Sequence, residues 1–503
     1  MIEAFLSGSA DVLQPQILFI ILITTVFGII LGVLPGVSGG TAVVLLLPFL
    51  YGKDPLIFLP IMCTLFAVSN TGGALTAILT GIPGDNSNAA TVLDGFPMTR
   101  HGEGGRAVGA ALMSGTTGAI VSMLYAIVMM PVVEFLVMRF RSPEMMLMIV
   151  VGLAFLGVLS EKSKVKGVIS ACLGILLSTI GAQAITGSAR FTFGNEYLYD
   201  GLNLVAMLMG LFGITMLAEL SVSQETIAKA NIGSYRAMLG EMWKGAKMVF
   251  KPYWWLWFRC TIIGYIIGII PGIGGSAAIW AAYGHAKQTS KKPETFGKGN
   301  IEGVIAPETS NHGKDGGDLL TTFAFGIPGS GLMVFFLAAF LLLGLTPGPK
   351  MLQEHAPLCF SMLVSIVIAT IFAAIIIVAA LPYLIRITHI APEYLFCFTV
   401  PLIFIGVFAA SGVMFQLIVL LIIGALGLMF KEFGYSLPSI ILGFVLGNLF
   451  EYYLWHSLDL HGFQSFMSPI SIILIILIIA IVGQQGFETL YKHWIKPLVK
   501  RSK

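Results

Sequence analysis

The stretch Gly32-Val33-Leu34-Pro35-Gly36-Val37-Ser38-Gly39-Gly40 ends an apolar run that begins at Ile17. Pro removes a backbone donor and Gly opens conformations that other residues resist, so a helix entering this stretch has to break there. The same pattern returns as Gly268-Ile269-Ile270-Pro271-Gly272-Ile273-Gly274-Gly275-Ser276, with Gly32 matching Gly268 at an offset of 236 residues. A second motif, Leu75-Thr76-Ala77-Ile78-Leu79-Thr80-Gly81-Ile82-Pro83-Gly84, returns as Leu320-Thr321-Thr322-Phe323-Ala324-Phe325-Gly326-Ile327-Pro328-Gly329, with Gly81 matching Gly326 at an offset of 245. Chance supplies one Pro-Gly pair in a glycine-rich chain, but two motifs in the same order at nearly the same separation read as a duplicated half.

The composition around these motifs sets the class of protein. Of 503 residues 57% are hydrophobic and 11% charged, with a mean hydropathy of +0.92. Soluble chains carry about 25% charged residues, so too few charges remain here to cover a water-facing surface. Apolar windows fall at 17–34, 55–80, 107–133, 144–160, 165–183, 202–220, 253–284, 318–345, 359–385, 394–411, 412–430, 436–455 and 468–485. Because about 20 apolar residues cross a bilayer and several windows are long or glycine-broken, we expect an all-α polytopic membrane protein with roughly 10 to 12 crossings plus re-entrant hairpins. The 58 glycines, against a usual level of about 7%, fit close helix packing and broken helices. The expected organisation is a first transmembrane repeat over 1–220, a cytoplasmic linker over 221–252, a second repeat over 253–485 and a basic cytoplasmic tail over 486–503.

Charge placement gives an orientation. No Lys or Arg precedes Lys53, whereas Lys492, Lys496, Lys500, Arg501 and Lys503 crowd the C-terminus, which predicts a periplasmic N-terminus and a cytoplasmic C-terminus. The stretches 221–251 (Lys229, Arg236, Lys244, Lys247, Lys251) and 285–317 (Lys287, Lys291, Lys292, Lys298, Lys314) read as cytoplasmic, which makes the apolar segment between them a hairpin that enters and returns. The segment 144–160 conflicts with the rule, being basic at both ends (Arg139 and Arg141; Lys162, Lys164 and Lys166). The first Pro-Gly motif is entered from the outside and the second from the cytoplasm, so the two halves read as inverted, the arrangement that in secondary transporters puts the site near the midplane.

Each break exposes backbone groups that survive at membrane depth only where protein, water or ligand satisfies them. After Gly84 the polar run Asp85-Asn86-Ser87-Asn88, followed by Thr91, opens a new helix, and Gly329-Ser330-Gly331 opens its counterpart. Helix N-termini suit carboxylates, so Gly81, Pro83, Gly84, Asp85, Asn86, Ser87, Asn88, Thr91, Gly326, Pro328, Gly329 and Ser330 form the candidate substrate site for a di- or tricarboxylate held by helix starts, without buried Lys or Arg. The companion breaks offer carbonyls and hydroxyls suited to Na⁺. The candidate ion-coupling set is Pro35, Gly36, Ser38, Gly39, Thr41, Pro271, Gly272, Gly274 and Ser276, joined by Glu308 and Asn311. Proton coupling is the competing idea, with Asp85, Asp94, Glu308 and Asp318 as acidic candidates in or beside apolar segments.

Other classes find little support. The net charge of +3 is spread thinly, which excludes a nucleic-acid partner. The five cysteines sit singly in apolar stretches and read as small hydrophobes, so no structural metal is expected. No cleavable signal peptide, nucleotide-binding loop or HExxH motif is found, so an enzyme is not expected and the coupling ion takes the place of a cofactor.

The residues carry a resemblance as well. Gly73 to Asp85, Thr91, Asp94-Gly95-Phe96-Pro97-Met98, Gly102 and Gly105-Arg106-Ala107 resemble one signature of the TctA family, the large membrane subunit of tripartite tricarboxylate transporters. Phe296-Gly297-Lys298-Gly299, Glu302-Gly303-Val304, Ala306-Pro307-Glu308, Asn311, Gly326 to Ser330 and Gly344 to Pro349 are similar to another. Asn311-His312 departs from the paired asparagines common in that family, and Ser69-Asn70 from an aromatic position. The resemblance implies an ion-coupled carboxylate importer of a bacterial inner membrane, working with a small TctB-like membrane subunit and a periplasmic TctC-like solute-binding protein, by alternating access that the paired hairpins would make elevator-like. A carboxylate channel, or an exporter without a binding-protein partner, is the alternative, and a homo-oligomer stands beside a single copy.

Overall fold

The computed structural model describes residues 1–34, 39–158, 164–183, 186–222, 235–272, 274–387 and 392–490. The first half runs α1 (Ile2–Val12), α2 (Pro15–Val33), α3 (Gly39–Leu50), α4 (Pro55–Thr80), a 3₁₀ turn (Asn86–Asn88), α5 (Ala89–Arg100), α6 (Gly104–Val137), α7 (Ser142–Val158), α8 (Lys164–Ser178), α9 (Leu204–Leu208) and α10 (Thr215–Val222). The second runs α11 (Tyr235–Phe250), α12 (Trp254–Ile269), α13 (Gly274–Thr289), α14 (Glu302–Gly313), α15 (Asp315–Phe325), α16 (Met333–Leu342), α17 (Pro349–Glu354), α18 (Ala356–Ile387), α19 (Pro392–Ser411), α20 (Phe415–Glu432), α21 (Leu437–His461) and α22 (Pro469–Leu490). The only strands among the described residues are the two-residue pair Gly181–Ala182 and Ala189–Arg190. Among the described residues six helices are long and apolar enough to cross a membrane, and shorter apolar helices, including α12 and α16, accompany them. The fold is therefore all-α and polytopic.

Two compact units result, and each draws on both halves: Met1–Phe135 with Phe212–Gly412, and Leu136–Leu211 with Val413–Lys503. In the first, α4 is the central helix, buried almost without interruption from Phe58 to Thr80. Glycine lets α2 lie against it. A Cβ on Gly32 would fall 2.4 Å from the Ser69 carbonyl oxygen, and one on Gly72 would fall 3.0 Å from the Gly32 backbone. The second half repeats this packing at the positions the offsets assign. A Cβ on Gly268 of α12 would fall 2.3 Å from the Lys314 carbonyl oxygen, and one on Gly317 would fall 2.7 Å from the Ile269 nitrogen. The counterpart of α4 is α14 followed by α15, joined through Lys314, whose φ of −77° and ψ of −24° keep the path helical. The duplication read from sequence is thus a duplication of backbone contacts.

The second unit is also glycine-packed. Cβ atoms on Gly174 of α8 and Gly443 of α21 would meet the carbonyls of Ile440 and Ala171 at 2.0 and 2.1 Å. A forked ion pair, Arg190 Nη1 and Nη2 to Glu451 Oε1 and Oε2 at 2.8 and 2.9 Å, fastens the strand pair to α21. Glu144 in the first turn of α7 accepts from the Arg141 N–H at 2.9 Å, from Ser471 Oγ at 2.9 Å and from Ser468 Oγ, which ties α7 to the start of α22.

Backbone approaches this close leave no room for a methyl group, and overpacking costs about 1–3 kcal/mol or more. Gly32→Ala and Gly268→Ala should each lower the melting temperature of the detergent-purified protein, whereas Gly240→Ala, on α11 with open space around it, should hold or raise it. Equal melting temperatures for all three would refute the repeated glycine seam.

Candidate functional site

The site grows from the two left-handed glycines. Gly81 (φ 79°) ends α4 and Gly326 (φ 69°) ends α15, a conformation that favours glycine and turns the chain out of the helix. Beyond each turn the chain folds back on its own repeat. A Cβ on Gly84 would meet the Gly73 Cα at 2.4 Å and the Gly32 carbonyl oxygen at 2.9 Å, and one on Gly329 would meet the Asp318 Cα at 2.7 Å and the Gly268 carbonyl oxygen at 2.9 Å. Gly272 N–H donates to the Pro328 carbonyl at 3.1 Å, so in the second half the two breaks bond directly.

The helix starts differ in detail from the sequence expectation. Asp85 is the cap in the first half, its Oδ1 accepting from the Asn86 N–H at 2.6 Å, and the carboxylate also faces the backbone N–H of Gly39. Ser87 and Asn88 do not cap α5; Ser87 Oγ donates to Asn70 Oδ1 at 3.2 Å and Asn88 Nδ2 to the Asn70 carbonyl at 3.2 Å, both reaching back to α4. Asn86 and Pro83 are exposed. In the second half the helix begins at Met333 without a side-chain cap, and Ser330 instead lies buried beside Asp318.

The halves meet at Glu308. Its Oε1 accepts from Thr91 Oγ1 at 2.5 Å and lies 3.5 Å from Asn88 Nδ2, so a fully buried carboxylate of α14 is held by side chains from the start of α5. Asn311, one turn on, is fully buried, and both its side-chain polar atoms lack a hydrogen-bond partner. Asn70 Nδ2 and Asn88 Oδ1 are in the same state, while His312 Nδ1 faces Asp315 Oδ2 at 3.5 Å and Ser330 Oγ lies beside the Asp318 carboxylate. Buried polar groups are nearly always paired, so this concentration sets the region apart from the apolar packing around it. Gly274 (φ 73°) faces Ser330, and a Cβ on Gly275 would fall 3.5 Å from Ser87 Cβ, which brings the α13 start against both candidate substrate loops. Pro271 and Ser276 are half-buried beside them. Of the first hairpin's candidates, Pro35, Gly36 and Ser38 and the side chain of Thr41 lie outside the described residues, while Gly39 packs on Ser69.

One expectation is overturned. The sequence reading placed Lys314 in a cytoplasmic loop and foresaw no buried Lys or Arg at the site. Lys314 is 2% exposed, with Nζ 2.7 Å from Asp315 Oδ1 and 3.4 Å from Asp318 Oδ2, and it lies 4.9 Å above the Phe66 ring. Its carboxylate partners one and four residues away make the charge tolerable inside, which a hydropathy window cannot register. His312, likewise unforeseen, contacts Thr71 Oγ1 at 3.4 Å and Asp315 at 3.5 Å. Overlaying the halves at the 245-residue offset is the signal that finds Lys314, since it aligns with Ser69 inside α4.

Asp94, a candidate proton carrier, has structural work instead. Its Oδ1 accepts from the backbone N–H of Gly297, Gly299 and Asn300 at 2.9, 2.9 and 2.8 Å, and its Oδ2 from Tyr283 Oη at 2.9 Å. This bracket ties α5 to α13 and to the loop before α14. Hydrogen bonds to charged groups contribute about 1.5–3 kcal/mol each. Tyr283→Phe should therefore lower the melting temperature moderately, and Asp94→Ala, which strands four donors, should lower it more and speed proteolysis of the 293–300 loop. Unchanged stability in Asp94→Ala would remove the bracket from the account.

Comparison with known proteins agrees with this architecture. A family model described as the tripartite tricarboxylate transporter TctA family matches residues 18–442. A protein of Agrobacterium vitis described as an uncharacterized 52.8 kDa protein in the TAR-I ttuC' 3'region is 32% identical over 448 residues, covering 89% of this chain and 88% of that one. Another from the same organism, described as an uncharacterized protein in the TAR-II ttuC' 3'region, is 30% identical over 191 residues, 38% of this chain and 79% of its own length. No solved structure matches. The family match spans both Pro-Gly motifs, both left-handed glycine turns and the Glu308 and Asp94 contacts, and the chain belongs to the tripartite tricarboxylate transporter TctA family.

Proposed function

We propose that the protein imports a di- or tricarboxylate by Na⁺ or H⁺ symport, as the large membrane subunit of a system that also uses a small TctB-like subunit and a periplasmic TctC-like binding protein. The setting is a bacterial inner membrane, with the N-terminus periplasmic and the C-terminus cytoplasmic. The observation that carries the reading is the concentration of buried polar side chains on α4, α14 and α15 and at the two breaks, within a unit built from both halves. A channel has no need to close such a site from both sides, whereas alternating access between inverted halves does. An elevator-like movement of the hairpins against a scaffold is part of the proposal.

The charges of the site bear on coupling. Asp85, Asp315 and Asp318 lie around a single ammonium, that of Lys314, and the buried carboxylate of Glu308 lies near the imidazole of His312. An anionic substrate cannot enter surroundings already rich in carboxylate unless cations enter with it, because unpaired buried charge is strongly disfavoured. That requirement is met by Na⁺ among the carbonyls and carboxylates or by protons on the acids, and it supplies a physical reason for symport.

In proteoliposomes loaded with the purified chain and its partner subunits, radiolabelled citrate or another di- or tricarboxylate should accumulate when either a Na⁺ or a pH gradient is imposed. If neither gradient changes accumulation of any carboxylate tested, the symport reading falls. Ser87→Ala and Ser330→Ala should each cut uptake several-fold at normal membrane levels, since each removes a buried hydroxyl from a break. Wild-type uptake by both variants would displace the site.

A further inference from the structure

Because the chain builds the same backbone twice, residues at matching places can be compared directly. At the 245-residue offset Ser69, Asn70 and Gly73 of α4 correspond to Lys314, Asp315 and Asp318. The surroundings are equivalent. Gly32 packs on the Ser69 carbonyl as Gly268 packs on the Lys314 carbonyl, and Gly84 lies on Gly73 as Gly329 lies on Asp318. At these three positions one copy is neutral, and the other carries one ammonium and two carboxylates.

The charged copy is arranged around Asp318. One oxygen, Oδ2, faces Lys314 Nζ at 3.4 Å, and the ammonium is shared with Asp315 at 2.7 Å. The other, Oδ1, has no hydrogen-bond partner and lies 2.9 Å from where a Gly329 Cβ would be, a point also 2.9 Å from the Gly268 carbonyl oxygen. The buried Ser330 hydroxyl lies beside that carboxylate. Two carboxylates, a hydroxyl and a broken-helix carbonyl are a hard oxygen set of the kind that coordinates alkali ions where helices are interrupted. In this chain the set already contains a positive charge, tethered to the backbone and covered by the Phe66 ring.

The geometry points to Lys314 as a built-in counter-cation: its ammonium permanently supplies, in the second half, the charge that an exchangeable Na⁺ would otherwise bring to Asp318. This rests on the reading of the breaks as cation-coupled, and it deepens that reading by stating that the second break carries no exchangeable ion while Lys314 is present. A tethered cation stays with the protein through each cycle, so any coupling ion must be taken at another place. Removing the ammonium leaves buried carboxylates without a partner.

The test reads Na⁺ directly and needs no substrate. The purified full-length chain in detergent is assayed for equilibrium ²²Na⁺ binding, and for melting temperature in NaCl against choline chloride at equal ionic strength. Lys314→Gln should bind one more Na⁺ per chain than the wild type and gain stability from Na⁺ beyond the wild-type gain. The milder Lys314→Gln/Asp315→Asn, which keeps one carboxylate, should do the same, and adding Asp318→Asn to either should abolish the extra ion. Folded Lys314 variants that bind the wild-type number of ions would overturn the proposal, and so would an extra ion that survives Asp318→Asn. Failure of both Lys314 variants to fold even in NaCl would also count against it, since Na⁺ is expected to replace the ammonium. Uptake insensitive to every gradient would sink the transport reading alone, because the ion count still decides the place of Lys314.

Discussion

A backbone N–H or C=O freed from its helix in apolar surroundings costs several kcal/mol unless something pairs it, and this fold is organised around paying for such breaks at chosen places. Helices α2 and α12 bear glycine faces that lie directly on α4 and on α14–α15, which delivers Gly84 onto Gly32 and Gly329 onto Gly268. A direct bond from Gly272 to Pro328 answers one of the freed groups inside the second half. With a side chain in place of any of these hydrogens the helices would stand further apart and the breaks would lose each other. The glycine excess is a requirement of the site as much as of membrane packing.

That requirement is why the duplication could be read from residues alone. A left-handed turn at Gly81 and Gly326, and backbone contact at Gly32, Gly84, Gly268 and Gly329, each demand the same residue type at a fixed separation, so the pattern survives in the sequence. The side-chain partners do not. Glu308 was visible as an acid in an apolar segment, but the bonds from Thr91 and Asn88 cross more than two hundred residues and no local pattern announces them. Lys314 was misread for the converse reason. His312-Gly313-Lys314-Asp315-Gly316-Gly317-Asp318 has the composition of a loop, yet the Lys314 ammonium is held by two carboxylates within a turn of helix and so remains inside. The compact units were equally hidden, because each joins segments from both halves and the chain passes between units within α6, in unbroken helix.

The two halves agree in backbone and disagree in charge, and the disagreement has a direction. Asp94 brackets α5 to the loop before α14, whereas its counterpart at the repeat offset is the buried Ala339 of an apolar helix, where no bracket can form. Lys314, Asp315 and Asp318 face a neutral Ser69, Asn70 and Gly73. Backbone symmetry is enforced by the breaks, which need the same conformations in each copy, but side chains that do not form the breaks are free to diverge. A device with identical halves would bind ions and open equally well toward either side. A carboxylate tied to backbone donors on one copy and an ammonium held between two carboxylates in the other leave the duplicated scaffold unequal in charge, so under the proposed alternating access the two openings would not be equivalent.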